Sequence, residues 1–369
     1  MEYNHFLSSY KFQSHPSAFA SDVRERVRSY FAKNKIKRQG GVSHILKALT
    51  MILIYVGSYF LIITEVETNG ILFWVWILLF TIGFLGIGMT ITHDASHGAL
   101  SSNKSINLLF YHFFDLVGPS STIWKIQHVI LHHQYTNIEG IDEDINPSDM
   151  LRFTPEVQRR SWHKYQHIYA WLFYCLNTLY WITLKDVECF FRYYKRGYFK
   201  AFKMNVFYEA IKFLFFKTFY FIYILIIPIY FTDIGTFKVI SGWLLMQAIG
   251  GLTLALIIQP GHVLSALSYS KSRPDLDQKD PVIDRLDYQV TTTANFGNNS
   301  KFLTWFSGGL NHQIEHHLFP EISHIHYNKI SYIVRKTTED HNLSYFTNKT
   351  WWSGIVEHYK MLKLLGTKG

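Results

Sequence analysis

The chain has little of what marks several common protein classes. Only 2 of its 369 residues are cysteine. Cys175 and Cys189 form no CxxC and no zinc spacing, which excludes a disulfide scaffold and implies two reduced thiols. Charged residues make up 17% and glycine only 22 positions, so neither a disordered nor a collagen-like chain is in question. Acidic residues are the scarcer sign, 27 against 36 Lys and Arg, for a net charge of +9. Residues 1–47 lack a short apolar run ahead of a small-residue cleavage site, so no cleavable signal peptide is expected. The sequence carries no internal repeat or low-complexity tract, and no basic, aromatic-interleaved motif for nucleic acid. It is instead rich in aromatics, at 17%, and in histidine, at 19 residues.

Uncharged runs set the class. Residues 48–64, 70–92, 213–232 and 239–260 each approach the roughly 20 apolar positions that a hydrocarbon core of about 30 Å requires. The third run tolerates Lys217 if that side chain snorkels. The expected fold is an all-α membrane protein. It has four transmembrane helices, further interfacial helices and a helical cap on one side. Residues 1–45 and 336–369 are read as terminal segments flanking a membrane domain over 46–335. The gap after the first span, 65–69, is acidic. Leaving out Lys217 and Lys238, 34 of the 36 basic residues fall on one side, which the positive-inside rule makes the cytosol, with both termini there.

The histidines are spaced for metal. His93-Asp94-Ala95-Ser96-His97 follows the second span; the run from 70 to 97 measures about 42 Å as a helix, so the pair emerges beyond the hydrocarbon. On an α-helix His93 and His97 share a face, as do His128 and His132, while His133 points aside towards a second metal. His316 and His317 follow Gln313, and His262 ends the fourth span. A histidine at the end of an apolar span is costly without a partner. Eight imidazoles exceed the three or four ligands of one zinc and imply two metals, and Gln313 stands where a ninth ligand would fit. Neutral nitrogen donors suit iron, zinc, copper or nickel alike. Asp94, Glu315, Asn295, Asp142 and Asp144 are candidates for the outer acceptors that fix ring tautomers. Trp124, Asn311 and His312 are candidates for the site's lining, and His163, His167, His324 and His326 read mainly as structural or interfacial.

The three boxes, HDASH, HVILHH and QIEHH, resemble those of the integral-membrane fatty acid desaturase and hydroxylase superfamily. So do His132-His133-Gln134-Tyr135-Thr136-Asn137 with Asp142-Glu143-Asp144, Thr293-Ala294-Asn295-Phe296, and Gly308-Gly309-Leu310-Asn311, which are similar to its bacterial acyl-lipid and acyl-CoA branch. The resemblance runs from about residue 45 to 335. It implies two iron ions, O2 as co-substrate, and insertion of a cis double bond into an acyl-CoA or membrane lipid, in a bacterial inner membrane. Its ligands map onto His93, His97, His128, His132, His133, His262, His316 and His317, with Gln313 as the mark of front-end enzymes, those of linoleoyl delta-6 type. Fused cytochrome b5 domains in such enzymes carry His-Pro-Gly-Gly; here His15-Pro16-Ser17-Ala18 stands, so the expected electron donor is a separate ferredoxin or cytochrome b5. A di-iron lipid hydroxylase on the same scaffold is the nearest alternative. A zinc-dependent membrane hydrolase is a more distant one, since Asp94 occupies the place of its acid–base glutamate. The boxes must meet on one side of the membrane. Parity therefore makes 168–184 and 105–124 interfacial rather than spanning.

Overall fold

The computed structural model describes residues 12–64, 70–145, 149–271 and 283–367; the acidic gap at 65–69 lies outside them. Helix α1 (Ala18–Asn34) starts at Ser17, whose side chain accepts the Ala20 N–H. It precedes α2 (Gly41–Thr64) and α3 (Gly70–Ser96). The short α4 (Lys104–Tyr111) is followed by α5 over 121–135 and α6 over 166–195. Next come α7 (Val206–Phe231) and α8 (Thr236–His262), then α9 (Arg285–Thr292), α10 (Gln313–Leu318), α11 (Tyr327–Asp340) and α12 (Trp351–Thr367). Sheet is confined, among the described residues, to two parallel pairs of two-residue strands: β1 (Ile138–Glu139) with β2 (Ser270–Lys271), and β3 (Asn295–Phe296) with β4 (Thr347–Asn348). The protein is an all-α membrane protein.

Among the described residues α2, α3, α7 and α8 are the helices long and apolar enough to cross a membrane. Each overruns its uncharged run towards the end that carries the histidines, reaching Gly41, Ser96, Val206 and His262. Hydropathy marks where lipid ends, whereas the backbone ladder continues as long as protein packs against it. On the emergent turn of α2, His44 and Lys47 are buried. The run 105–124 breaks into α4, the single turn Phe113–Leu116 and the start of α5, each too short to span. The run 168–184 is the middle of α6. Its Ile168, Leu172, Leu176 and Leu184 stay exposed while the opposite face meets α8. Thr178 Oγ1 donates to Gln247 O at 2.6 Å there.

The terminal helices pack into the same body. Phe19, Val23 and Val27 of α1 share a core with Ile330 and Val334 of α11. Met361, Leu362 and Leu365 of α12 pack with Ala170, Tyr174, Ala255 and Val263. Burial of each such side chain contributes about 1.5–3 kcal/mol.

Lys217 departs from the snorkelling expectation. It turns inward from α7, donating to Gly118 O and Ile182 O at 2.8 Å each and to Asp186 Oδ2 at 2.7 Å. Asp186 is fully buried and also accepts the Ser120 N–H at 2.8 Å, just ahead of the second histidine box. One ion pair thus ties a spanning helix, α6 and the start of α5. Replacing one partner strands the other charge in a medium that cannot solvate it. Lys217→Met is expected to cost about 3–5 kcal/mol in thermal or denaturant unfolding, and the double variant Lys217→Met/Asp186→Leu to recover most of that. A double variant no better than the single one would show that the charges are not the cause.

Candidate metal centre

Two π-helical turns deliver the first two boxes. In α3 the backbone widens over Ile87–Thr92, and the His93 N–H bonds to Gly88 O, five residues back. In α5 it widens over Lys125–His132, and the His133 N–H bonds to His128 O. Such turns put residues five apart over one another and recur at functional sites. The α-helical pairing of His128 with His132 is therefore replaced. His128 and His133 converge, Nε2 to Nε2 at 3.3 Å, and His128 Nε2 lies equally 3.3 Å from His93 Nε2.

The nitrogens form two groups. His93, His97, His128 and His316 each bring one within 4.8 Å of the others, as do His132, His262 and His317. His133 stands between them, grouped with His316 and His317. Gln313 Oε1 is 3.2 Å from His262 Nε2. A separation of 3.3 Å is the edge of a tetrahedron with metal–nitrogen bonds of about 2.0–2.1 Å. The Nε2 atoms of His97, His316 and His317 are buried and, among the described residues, have no hydrogen-bond partner. An orphaned buried polar atom costs about 1–3 kcal/mol, and such atoms in both groups fit bound cations. These groups of histidines can hold metal.

Electrostatics agree. Burial, reinforced by neighbouring imidazoles, holds His97, His133, His316 and His317 well below the ordinary histidine range. Burial likewise lowers His128 to about 3, against support from Asp144. These rings are neutral ligands across the physiological range. His132 is the exception: burial opposes its charge, but Asp142 and Asp144 together outweigh it and push the ring up to about 9.

Outer partners orient the rings. Both oxygens of Asp142 lie 3.1 Å from His132 Nδ1, and the same carboxylate accepts the Asn137 and Asp144 N–H groups. Gln289 Oε1, on α9, accepts from His317 Nδ1 at 2.8 Å, while its amide donates to His133 O. Thr136 Oγ1 donates to Gln289 Oε1 at 3.0 Å. Tyr327 OH is 3.3 Å from His316 Nδ1. Asp94 faces His93 Nδ1 at 3.4 Å and accepts from His324 Nδ1 at 2.8 Å. His324 is thus part of the site's support, and His44 packs edge-on against it.

Glu315 and Asn295 differ from expectation. Glu315 accepts from Asn295 Nδ2 and Tyr345 OH, both at 2.8 Å, and Asn295 Oδ1 accepts the Ile314 N–H. They brace α10 against β3 rather than touching a ring of the two groups. Asn311 and His312 bond with the Thr304 hydroxyl and belong to neither group, whereas Trp124 stacks on His128 at 4.1 Å and 18°. Gln289, Tyr327 and His44 carry no motif by which the sequence alone could have marked them; Thr136 sits in the stretch after the second box.

Two glycines let the third box dock. A Cβ on Gly308, whose φ is +64°, would lie 2.4 Å from Met89 O in the π turn. One on Gly261 would lie 2.4 Å from the Gln313 side chain. No other residue fits either contact.

Loss of an outer partner typically costs about 10–100-fold in metal affinity or activity. Gln289→Leu, which leaves His317 Nδ1 only the Thr136 hydroxyl at 3.2 Å, is expected to lower metal affinity by that order. Competition with a chelator measures it; wild-type affinity in the variant would remove Gln289 from the site. Below pH 9 the metal-free protein carries a proton on His132 that binding must expel. Apparent affinity should therefore rise about tenfold per pH unit towards that value and then level off. Calorimetry in buffers of different ionisation enthalpy counts the proton, and Asp142→Asn should abolish its release at pH 7.

Comparison with known proteins agrees with this geometry. The family profile described as Fatty acid desaturase matches residues 69–349. The chain is 33% identical over 355 residues to an acyl-lipid (8-3)-desaturase of Physcomitrium patens, covering 93% of this chain and 71% of that protein. It is 30% identical to an sn-1 linoleoyl-lipid 6-desaturase of Arthrospira platensis, covering 94% and 92%. It is 32% identical to Delta(5) fatty acid desaturase A of Dictyostelium discoideum, covering 98% and 78%. The chain therefore belongs to the fatty acid desaturase family of membrane oxidoreductases.

Proposed function

We propose that the protein is a di-iron front-end desaturase that inserts a cis double bond into the acyl chain of a membrane lipid. The observation that carries this reading is the pair of imidazole-nitrogen groups bridged by His133 and His316. The reaction takes one O2, two electrons and two protons, removes two hydrogens from adjacent carbons, and leaves two waters. Bound iron would supply the oxidant for the unactivated C–H bond. His93, His97, His128 and His316 would hold one ion, and His132, His262 and His317 the other, with His133 next to both and Gln313 beside His262. Asp142 and Gln289 fix the tautomers of His132 and His317, keeping their inward nitrogens free. Burial of nearly all these side chains keeps bulk water from the reacting carbons.

The names of the relatives support an acyl-lipid substrate attacked on the carboxyl side of existing double bonds. A hydrolase reading has less support, because Asp94 is turned onto His93 and His324 and is not free to act on water. The cytosolic orientation follows the basic-residue bias.

Expression in a host with a simple lipid pool, followed by gas chromatography–mass spectrometry, reads reaction and position together. A new double bond is expected, with about two irons per chain by metal analysis. His128→Ala and His317→Ala should insert normally and form no product; product from either would refute the ligand assignment. Cysteines placed at Lys195 and Lys301, both exposed, should label from the cytosolic side alone; labelling from opposite sides would overturn the parity of the spans.

A further inference from the structure

The proposed reaction needs two electrons from outside, and the buried nitrogen groups must receive them through protein. One aromatic path leads outward. Trp124 stacks on His128, and Trp181 of α6 stacks on Trp124 at 5.4 Å and 28°. The two indoles lie between buried and exposed, so the ladder leads from the buried cluster towards the surface. Trp181 Nε1 donates to Asp186 at 3.0 Å, which fixes the outer ring, and Lys185 Nζ lies 5.5 Å from its centroid.

Lys185 also borders a polar cleft of about 280 Å³, where Asp142, Glu143 and Glu188 balance Lys185, Arg192 and Arg196, so any surplus of charge lies with the lysines beyond it. From 190 to 208 the sequence places Arg192, Lys195, Arg196, Lys200 and Lys203 with no acidic residue between them. Lys195, Lys200 and Lys203 are exposed. Glu143 offsets part of this charge through Arg192 and Arg196, at 2.7 and 3.7 Å, and leaves the lysines as surplus. A basic rim beside an aromatic ladder suits a partner with an acidic face, because complementary charge steers encounter and sets orientation.

We propose that the Trp181–Trp124 stack, opening beside this basic rim, is where a small acidic one-electron carrier docks and passes electrons to the histidine cluster at His128. Two carriers would each give up one electron per turnover, and a metal pair held by the two nitrogen groups would accept both. The assignment rests on the di-iron reading. Trp181 touches no ligand of the cluster; it acts through Trp124.

The test uses full-length, iron-loaded protein in lipid nanodiscs. Its probes are reduced plant-type [2Fe–2S] ferredoxin and, in a parallel arm, the reduced soluble domain of cytochrome b5. Anaerobic stopped-flow absorbance follows re-oxidation of the carrier. Trp181→Leu should slow it by an order of magnitude with the carrier that docks, and Trp181→Phe by less. Product formed after reduction with dithionite and addition of O2 should keep its wild-type yield in Trp181→Leu. Lys200→Glu/Lys203→Glu should raise the carrier Kd by about tenfold and flatten its salt dependence, in metal-free protein as well. An unchanged re-oxidation rate in Trp181→Leu, or an equal loss in both assays, would overturn the ladder. If the double reversal leaves carrier affinity intact and instead removes a dependence of turnover on phosphatidylglycerol, the rim faces lipid and the docking assignment falls. If chemically reduced wild-type protein forms no product, the di-iron reading fails first and takes this one with it.

Discussion

Neutral imidazoles packed nitrogen to nitrogen repel one another unless a cation lies between them, and the rest of this protein is arranged around that constraint. Burial denies His97, His133, His316 and His317 the proton that would otherwise relieve the crowding. The two π turns are the backbone's share in it. A regular α-helix would aim His128 and His132 at one point; with the wider turn His128 joins one group, His132 the other, and His133 stands between them. The cost of those irregular turns is met by the dense packing on both sides, where Ile87, Met89, Ile91, Ile126 and Leu131 are all buried.

The membrane and the metal groups place opposite demands on the same helices. Lipid requires that every backbone and side-chain polar group be paired internally. Among the spans this is met by Tyr220 OH, which accepts from Trp243 Nε1 and Gln247 Nε2, by Tyr55 OH against Tyr223 OH, and by the Lys217–Asp186 pair. The histidine groups need the reverse, nitrogens with no protein partner. The helices reconcile the two by running past the apolar stretch. Paired polar groups prevail along the lipid-embedded length and open valence at the emergent turn.

Much of this was legible in the sequence, and the parts that were not have identifiable causes. The four spans and the eight histidines with Gln313 stand out because apolar length and imidazole spacing are local properties. The grouping of the histidines was hidden, since it depends on π turns that no residue pattern announces. Asp142 was readable from its place after the second box, whereas Gln289 is a lone amide on a short helix that reaches His317 only through the tertiary fold. Glu315 lies inside a box yet faces Asn295 and Tyr345, because a residue between two ligands on a helix is turned to the side opposite them. Lys217 was expected at the water boundary. It turned inward because Asp186, distant in sequence, offered a stronger partner than solvent access.

The close seat of the third box has a consequence for how the chain is made. Gly308 presses on Met89 and Gln313 on Gly261, so α10 closes over segments synthesised long before it. Neither nitrogen group is complete until residues 316 and 317 have left the ribosome and folded back across four inserted helices. A chain that ends before the third box holds only His93, His97 and His128 of one group and His132 and His262 of the other. The close seats at Gly308 and Gly261 are thus the contacts through which the last box closes groups that the first two began.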